Sequence, residues 1–123
     1  VAKEALKGEE IAVVNCEQVI ITWNKSNIEE KLREKRMRVG SKQTGPEHSR
    51  LSYLIVKRAI RGMLPQAKGG RGREALKRIT CYPNTPKDFE DSKKITFEDQ
   101  LKSKFVTVKE ISKLTFLKKA SKN

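Results

Sequence analysis

The chain has 123 residues, and its 28 lysines and arginines exceed its 15 acidic residues, so the formal net charge is +13. Hydrophobic residues make up 36% and charged residues 35%, which is enough for one domain with a modest core. No apolar run is long enough to span a bilayer, and the N-terminal residues lack the apolar core of a signal peptide, so we expect a cytoplasmic location.

The first residues predict a helix followed by two strands. Residues 1–7 read as the end of a helix that Gly8 terminates, because glycine readily adopts the left-handed conformation after a helix. The chain starts with Val1 in mid-helix, so we expect a missing N-terminal piece. Residues 11–14 form a continuous apolar run that predicts a strand buried on both faces, and residues 19–22 predict a second strand.

The next segment predicts a basic helix and a polar loop. Ser26 and Glu29 have the spacing of a capping box, which predicts a helix from there to about Arg38. Residues 40–49 then read as a polar loop. That loop holds His48, the single histidine, which we interpret as a solvated residue because no nucleophile motif accompanies it.

Residues 50–64 carry the clearest helical pattern. At about 100° per residue, one arc is apolar and is expected to pack on the domain. It contains Leu51, Ile55, Val56, Ala59, Ile60 and Met63. The complementary arc contains Arg50, Lys57, Arg58 and Arg61. Gly62 and Pro65 are expected to end the helix.

A glycine-rich segment follows. Residues 66–72 predict a flexible loop, with a short helix over 73–77 and a strand over 79–82. A glycine-rich loop before a helix can hold phosphate, but a nucleotide-hydrolase loop would need Lys and Ser or Thr after the glycine, where this chain has Arg73 and Glu74. The alternatives are a merely flexible loop or one that wraps onto a nucleic-acid backbone, and the interspersed cations favour the latter.

The C-terminal third predicts a loop, a strand and a short helix. Pro83 and Pro86 break the chain, and Phe97 with Leu101 predicts a turn. Phe105 and Val106 predict a strand, and Thr107 with Glu110 forms a second capping box. Strands that alternate with helices favour a small α/β layer fold, expected here as one domain over 1–117 with a polar tail over 118–123.

The positive charge is concentrated in residues 31–78, which hold fifteen basic residues and three acids, a net charge of +12. Residues 1–30 carry −3 and residues 79–123 carry +4. Such a cluster usually persists where a polyanion neutralises it, and arginine matches phosphate oxygens well. Anionic lipid is disfavoured because the cations are spread over several elements. The candidate nucleic-acid contacts are Lys35, Arg36, Arg38, Lys42, Arg50, Lys57, Arg58, Arg61, Lys68, Arg71, Arg73, Lys77 and Arg78.

Other chemistry has little support in the sequence. Zinc-type ligand pairs are absent, and we expect no metal, cofactor, small-molecule substrate or enzymatic activity. Cys16 and Cys81 lie in apolar contexts and are interpreted as buried free thiols in preference to a disulfide. Trp23 and Tyr53 could stack on bases, but each adjoins an apolar run, so full or partial burial is favoured.

Several motifs resemble one known family. Arg-Gly-Met-Leu-Pro at 61–65, Gly-Arg-Glu-Ala-Leu at 72–76 and Tyr-Pro-Asn at 82–84 are similar to the L-thirteen family of large-subunit ribosomal proteins, in its archaeal and eukaryotic branch. The stretches 1–8, 13–17, 19–22 and 104–107, running on to Glu110 and Ile111, resemble it too. Where the family often has glycine after the second strand, this chain has Trp23.

The resemblance implies a three-layer α/β/α domain around a small, mainly parallel four-stranded sheet, whose first strand is missing here. It also implies a non-catalytic role in binding large-subunit ribosomal RNA from early in assembly, beside neighbouring ribosomal proteins. By the same comparison Arg58, Arg61 and Gly62 lie on the family's basic helix, and Lys68, Arg71, Gly72 and Arg73 on its RNA-facing loop. A regulatory RNA-binding module or a DNA-binding protein would share the charge, but neither an RNP aromatic motif nor a base-reading helix is recognisable.

Overall fold

The computed structural model describes residues 1–38, 45–66, 69–96 and 103–114. The predicted turn at Phe97 and Leu101 and the polar tail lie outside these residues, as do residues 39–44. Five helices are described: α1 Ala2–Lys7, α2 Lys25–Met37, α3 Ser52–Gly62, α4 Gly70–Lys77 and α5 Val108–Lys113. Four strands are described: β1 Ile11–Val13, β2 Ile20–Thr22, β3 Ile79–Cys81 and β4 Phe105–Thr107. None of these helices is long and apolar enough to cross a membrane.

The described strands form two separate pairs. β1 and β3 are parallel, with Ile11 opposite Ile79, whereas β2 and β4 are antiparallel, with Ile20 opposite Thr107. The prediction of an α/β domain is confirmed, but these strands do not join into one four-stranded sheet. The chain leaves β1 through Asn15, which has a left-handed backbone (φ 54°), and a short 3-10 turn at Cys16–Gln18 then separates β2 from the first pair.

The core lies on one side of the β1–β3 pair. It contains Ala5, Cys16, Val56, Ile60, Leu64, Ala75, Ile79, Cys81 and Val108. Ala12 and Thr80 face each other across the pair and are both exposed. The prediction that β1 is buried on both faces is therefore wrong, because alternate residues point to opposite faces and only one face is covered by the described residues.

Helix α3 buries a narrower stripe than its pattern predicted. Ser52, Val56 and Ile60, at intervals of four residues, are buried, and Leu64 continues the row. Three residues of the predicted apolar arc, Leu51, Ala59 and Met63, are instead exposed, Met63 by 71%. Leu51 and Met63 lie just outside the helix, at its two cap positions, so the helical pattern does not fix which way they face.

Helix ends follow their sequence signals in two of three places. Gly8 has φ 110° and ends α1, and the Thr107 hydroxyl accepts a hydrogen bond from the Glu110 backbone N–H at 3.4 Å. The Ser26 capping box is wrong, because α2 already begins at Lys25 with Asn24 before it. The backbone N–H of Trp23 still bonds to the Lys104 carbonyl at 3.0 Å, so the chain enters the helix directly from the strand pairing.

The glycine-rich segment is partly helical. α4 begins at Gly70, which has φ 58°, so the predicted flexible loop over residues 66–72 is wrong for Gly70 to Gly72. Gly72 is buried, and a Cβ built on it would lie 1.6 Å from the Pro65 carbonyl oxygen. The glycine is needed there because α4 crosses the chain at Pro65 with no room for a side chain.

Candidate nucleic-acid interface

The central feature of the basic surface is a group of cations around His48. Burial lowers the pKa of His48 from its ordinary value, and the charges of Arg58, Lys35, Arg36 and Arg38 lower it further. Two of the elements that carry these cations, α2 and α3, are far apart in the sequence, so the fold brings them together. We call Lys35, Arg36, Arg38, His48 and Arg58 the His48 cluster.

Hydrogen bonds to backbone carbonyls hold this cluster in place. Arg36 donates to the carbonyl of Leu114, just after α5, at 3.1 Å. Arg58 donates to the carbonyl of Glu47, beside His48, at 3.1 Å. Burial lowers the pKa of Arg36, with a further contribution from the charge of Arg50, which places Arg50 at the edge of the cluster. These contacts orient the loop at 47–48 and the C-terminal half of α2.

Helix α2 packs loosely on the rest of the domain. None of its residues is fully buried. Ile28 lines a small cleft with Val106, Ile111 and Leu114, and Lys25 forms an exposed ion pair with Glu110 at 3.3 Å. The helix therefore presents most of its basic surface to solvent, which suits contact with an extended anionic partner.

The remaining candidate residues have mixed placements. Arg61, Arg71, Arg73 and Lys77 are exposed. Gly62 ends α3, and a Cβ there would meet no atom within 4 Å. Lys42 and Lys68 lie outside the described residues.

Two candidates have local contacts that explain part of their placement. Arg78 is half-buried and donates to the Ala5 carbonyl at 3.4 Å, near the end of α1. Lys57 is half-buried, and its charge partly offsets the rise in the pKa of Cys81. These two side chains therefore also serve the packing of the domain.

The prediction of buried free thiols is confirmed. Cys16 and Cys81 are both buried and unbonded by a disulfide. Burial raises the pKa of Cys16 to about 11 and also raises that of Cys81. The Cys16 thiol donates to the Val13 carbonyl at 3.7 Å, and the register that pairs Val13 with Cys81 brings the start of the 3-10 turn beside β3. Thiolate is the reactive form, so both thiols are chemically quiet at neutral pH.

The two aromatic residues differ in their burial. Tyr53 is half-buried against the core, as predicted. Trp23 is 53% exposed, and the ammonium of Lys31 lies 4.1 Å from its ring centroid. The apolar run before Trp23 suggested burial, but β2 is exposed at all three of its residues, so the run does not enter the core.

Comparison with known proteins then decides the family. The family model described as ribosomal protein L13 matches residues 2–88. This chain belongs to the ribosomal protein L13 family. The resemblance inferred from the sequence motifs is confirmed, and the matched range contains the whole His48 cluster.

Archaeal relatives named large ribosomal subunit protein uL13 support the same membership. The relative from Methanocaldococcus jannaschii is 40% identical over 116 residues, covering 92% of this chain and 83% of the relative. The relative from Archaeoglobus fulgidus is 39% identical over 119 residues, with 92% and 75% covered. The relative from Methanopyrus kandleri is 48% identical over 92 residues, which are 75% of this chain and 57% of that protein. The chain thus spans somewhat more than half the length of this last relative.

Sequence reasoning did not include His48 among the candidate residues of this L13-family chain. The sequence places it in a polar loop beside Glu47, with no sign of its surroundings. Its position among cations depends on the docking of α2 against the end of α5 and on the Arg58 hydrogen bond. A usable sequence signal was the high density of arginine on both sides of the loop.

Proposed function

We propose that this chain is a structural constituent of the large ribosomal subunit and binds large-subunit ribosomal RNA. The observation that carries this proposal is the convergence of four cations on His48, in a chain of the L13 family. Even with Glu34 paired to Arg38 at 2.9 Å, these cations leave a local positive excess in the free protein, which RNA phosphates would neutralise.

The residues of the His48 cluster would have two roles, contact with phosphates and positioning of α2. Lys35, Arg38 and Arg58 are exposed and would contact phosphates. Arg36 is half-buried and bonded to the Leu114 carbonyl, so it would chiefly hold α2 in position. The arginines are suited to bidentate contacts with phosphate oxygens, which fix orientation without reading bases.

The proposed interface extends over residues 31–78 within a single domain over 1–117. Arg61, Arg71, Arg73 and Lys77 are exposed and would add phosphate contacts, together with Lys42 and Lys68 on sequence grounds. We propose that the protein joins the subunit early in assembly, contacts neighbouring ribosomal proteins, acts without catalysis and resides on cytoplasmic ribosomes. We also propose the three-layer α/β/α domain with a mainly parallel four-stranded sheet that the resemblance implied, its first strand being the one missing from this chain.

A salt titration of RNA binding tests the proposal. If about eight phosphates are engaged, the logarithm of the association constant should fall against log salt with a slope of roughly −6 to −7. Arg58→Ala should weaken binding and make this slope shallower by about one. Lys93→Ala removes an exposed cation outside the segment 31–78 and serves as the control, with little expected effect.

Sedimentation separates the ribosomal proposal from general RNA affinity. The tagged protein should migrate with large subunits in a sucrose gradient and withstand a moderate salt wash. A salt slope near zero, or a protein that stays at the top of the gradient, would contradict the proposal.

A further inference from the structure

A second exposed feature lies at the other end of α2, where β2 ends and β4 begins. Trp23 and Phe105 are 53% and 51% exposed. They line one open depression together with Asn24, Lys25, Ser103 and Lys104. The hydrogen bond from the Trp23 N–H to the Lys104 carbonyl ties the two sides of the depression together.

The charges around this depression favour an anionic partner. The Lys31 ammonium lies over the Trp23 ring at 4.1 Å, and Lys25 and Lys104 line the depression itself. Glu110 pairs with Lys25 at 3.3 Å, so the local excess is still positive. A protein-binding patch would instead be expected to have an apolar centre depleted of lysine.

Exposed aromatic rings beside cations match the requirements of unpaired nucleotides. A base stacks on an aromatic face whatever its sequence, while neighbouring cations hold the backbone phosphates. A paired base offers no free face, so such a platform selects single strands, loops or bulges. More than half of the Trp23 surface stays open to solvent even with Lys31 over its ring.

We propose that Trp23 is a stacking platform for an unpaired RNA base, with Lys31 and Lys104 on the adjoining phosphates. The inference rests on the proposed function and deepens it, because it adds a base contact to an interface otherwise made of phosphate contacts. Phe105 forms the rim of the same site.

Helix α2 connects this platform to the His48 cluster. It has thirteen residues, so its ends lie about 20 Å apart. Lys31 and Lys35 are four residues apart and therefore lie on the same face, one near the platform and the other in the cluster. An RNA strand that follows this face would engage both sites at once.

Trp23 is the single tryptophan of the chain, so its fluorescence reports on this site alone. The chain of residues 1–123 is titrated with a short single-stranded RNA, with the same strand in a perfect duplex, and with inorganic polyphosphate. Stacking should quench the tryptophan emission with the single strand, and much less with the duplex or polyphosphate at equal occupancy. Equal quenching by polyphosphate would overturn the proposal, since that polymer has no bases.

Binding of labelled single-stranded RNA, followed by anisotropy, gives the second measurement. Trp23→Leu should weaken binding by about five-fold or more, which corresponds to the lower end of the range for losing one stacked base. Trp23→Phe should retain most of the affinity, because its ring can still stack. Because Trp23 is exposed, both variants should keep the wild-type melting temperature.

The outcomes distinguish this inference from the proposed function. If the wild-type chain shows no salt-dependent RNA binding, the proposed function is refuted. Normal salt-dependent binding with unchanged emission, and with Trp23→Leu as tight as the wild type, would refute the platform alone. Emission that responds to ribosomal proteins but not to RNA would mean that a protein covers Trp23, and would also refute it.

Discussion

At the scale of single residues, Gly72 shows how one absent side chain determines a helix position. A Cβ at Gly72 would lie 1.6 Å from the Pro65 carbonyl oxygen. The backbone fixes the position of both atoms, so neither can turn aside as the end of a long side chain could. The helix cannot move away without losing the contact of Ala75 with the core. A methyl group added at Gly72 should therefore lower the free energy of unfolding.

We expect Gly72→Ala to lower the free energy of unfolding by about 3 kcal/mol, the upper part of the range for overpacking, because backbone must shift. Gly62→Ala is the matched control. It adds the same methyl group at the end of α3, where no atom lies within 4 Å, and should be neutral or stabilising by up to about 1 kcal/mol. Urea unfolding of both variants measures the difference, and equal stabilities would contradict the close contact at Gly72.

His48 should link RNA binding to pH. Its pKa in the folded protein is depressed from 6.5, so the unfolded chain binds more protons in that range. The stability attributable to His48 is therefore present above its ordinary pKa and declines as the pH falls through the depressed value. Bound phosphates would neutralise the surrounding cations and raise the pKa of His48 again.

RNA affinity should consequently rise as the pH is lowered from about 8 to about 6, with proton uptake on binding. His48→Gln should remove most of this dependence while leaving the affinity at high pH nearly unchanged. Anisotropy titrations across this pH range, at constant salt, measure it. A wild-type affinity that is flat with pH would show that phosphates do not reach His48.

At the scale of elements, α3 and α2 differ in how they are held. α3 buries Val56 and Ile60 against β3 and α5, whereas α2 is attached mainly through Ile28, the Arg36 hydrogen bond and one exposed ion pair. Exposed ion pairs contribute little to stability, so α2 should open more readily than α3.

Substitutions in α3 and just after its end should separate buried from exposed apolar residues. Ile60→Ala should cost about 2–4 kcal/mol, because Ile60 is buried in the core. Met63→Ala should change stability by less than about 0.5 kcal/mol, because Met63 is largely exposed. Thermal or urea unfolding measures both. A loss at Met63 as large as that at Ile60 would restore the wider apolar face that the periodicity predicted.

Amide hydrogen exchange should reveal the weaker attachment of α2. In the free protein, amides in the middle of α2 should exchange at least about ten-fold faster than those in the middle of α3. Addition of RNA should slow exchange in α2 more than in α3. Equal protection of the two helices in the free protein would contradict the loose packing of α2 on the domain.

At the scale of the whole molecule, the excess of +12 over residues 31–78 opposes folding of the free protein. The ion pairs identified among the described residues are largely exposed, except that Glu17 in its pair with Lys109 is half-buried, so added salt weakens little that is stabilising. Screening should then favour the folded state.

The melting temperature of the free protein should rise by a few degrees when sodium chloride is increased, while RNA binding weakens over the same range. Differential scanning calorimetry and filter binding on one preparation compare the two. A melting temperature that falls with added sodium chloride would mean that local ion pairs outweigh the general repulsion.

The sequence by itself determined the features that depend on local chemistry. The left-handed Gly8, the Thr107 cap, the end of α3 at Gly62 and the existence of all four strands follow from residue preferences within a few positions. The motifs at 61–65, 72–76 and 82–84 were enough to identify the family, and the distribution of charge predicted a polyanionic partner.

Only the tertiary structure decided what depends on contacts distant in the chain. The separate strand pairs, the narrow buried stripe of α3 and the burial of Gly72 each arise from elements meeting across many residues. The same holds for the position of His48 near the cations of α2 and α3 and for the exposure of Trp23. Periodicity and propensity describe which faces a helix or strand could bury. The neighbouring element that packs on it decides which face is buried, and therefore which side chains remain exposed at the candidate site.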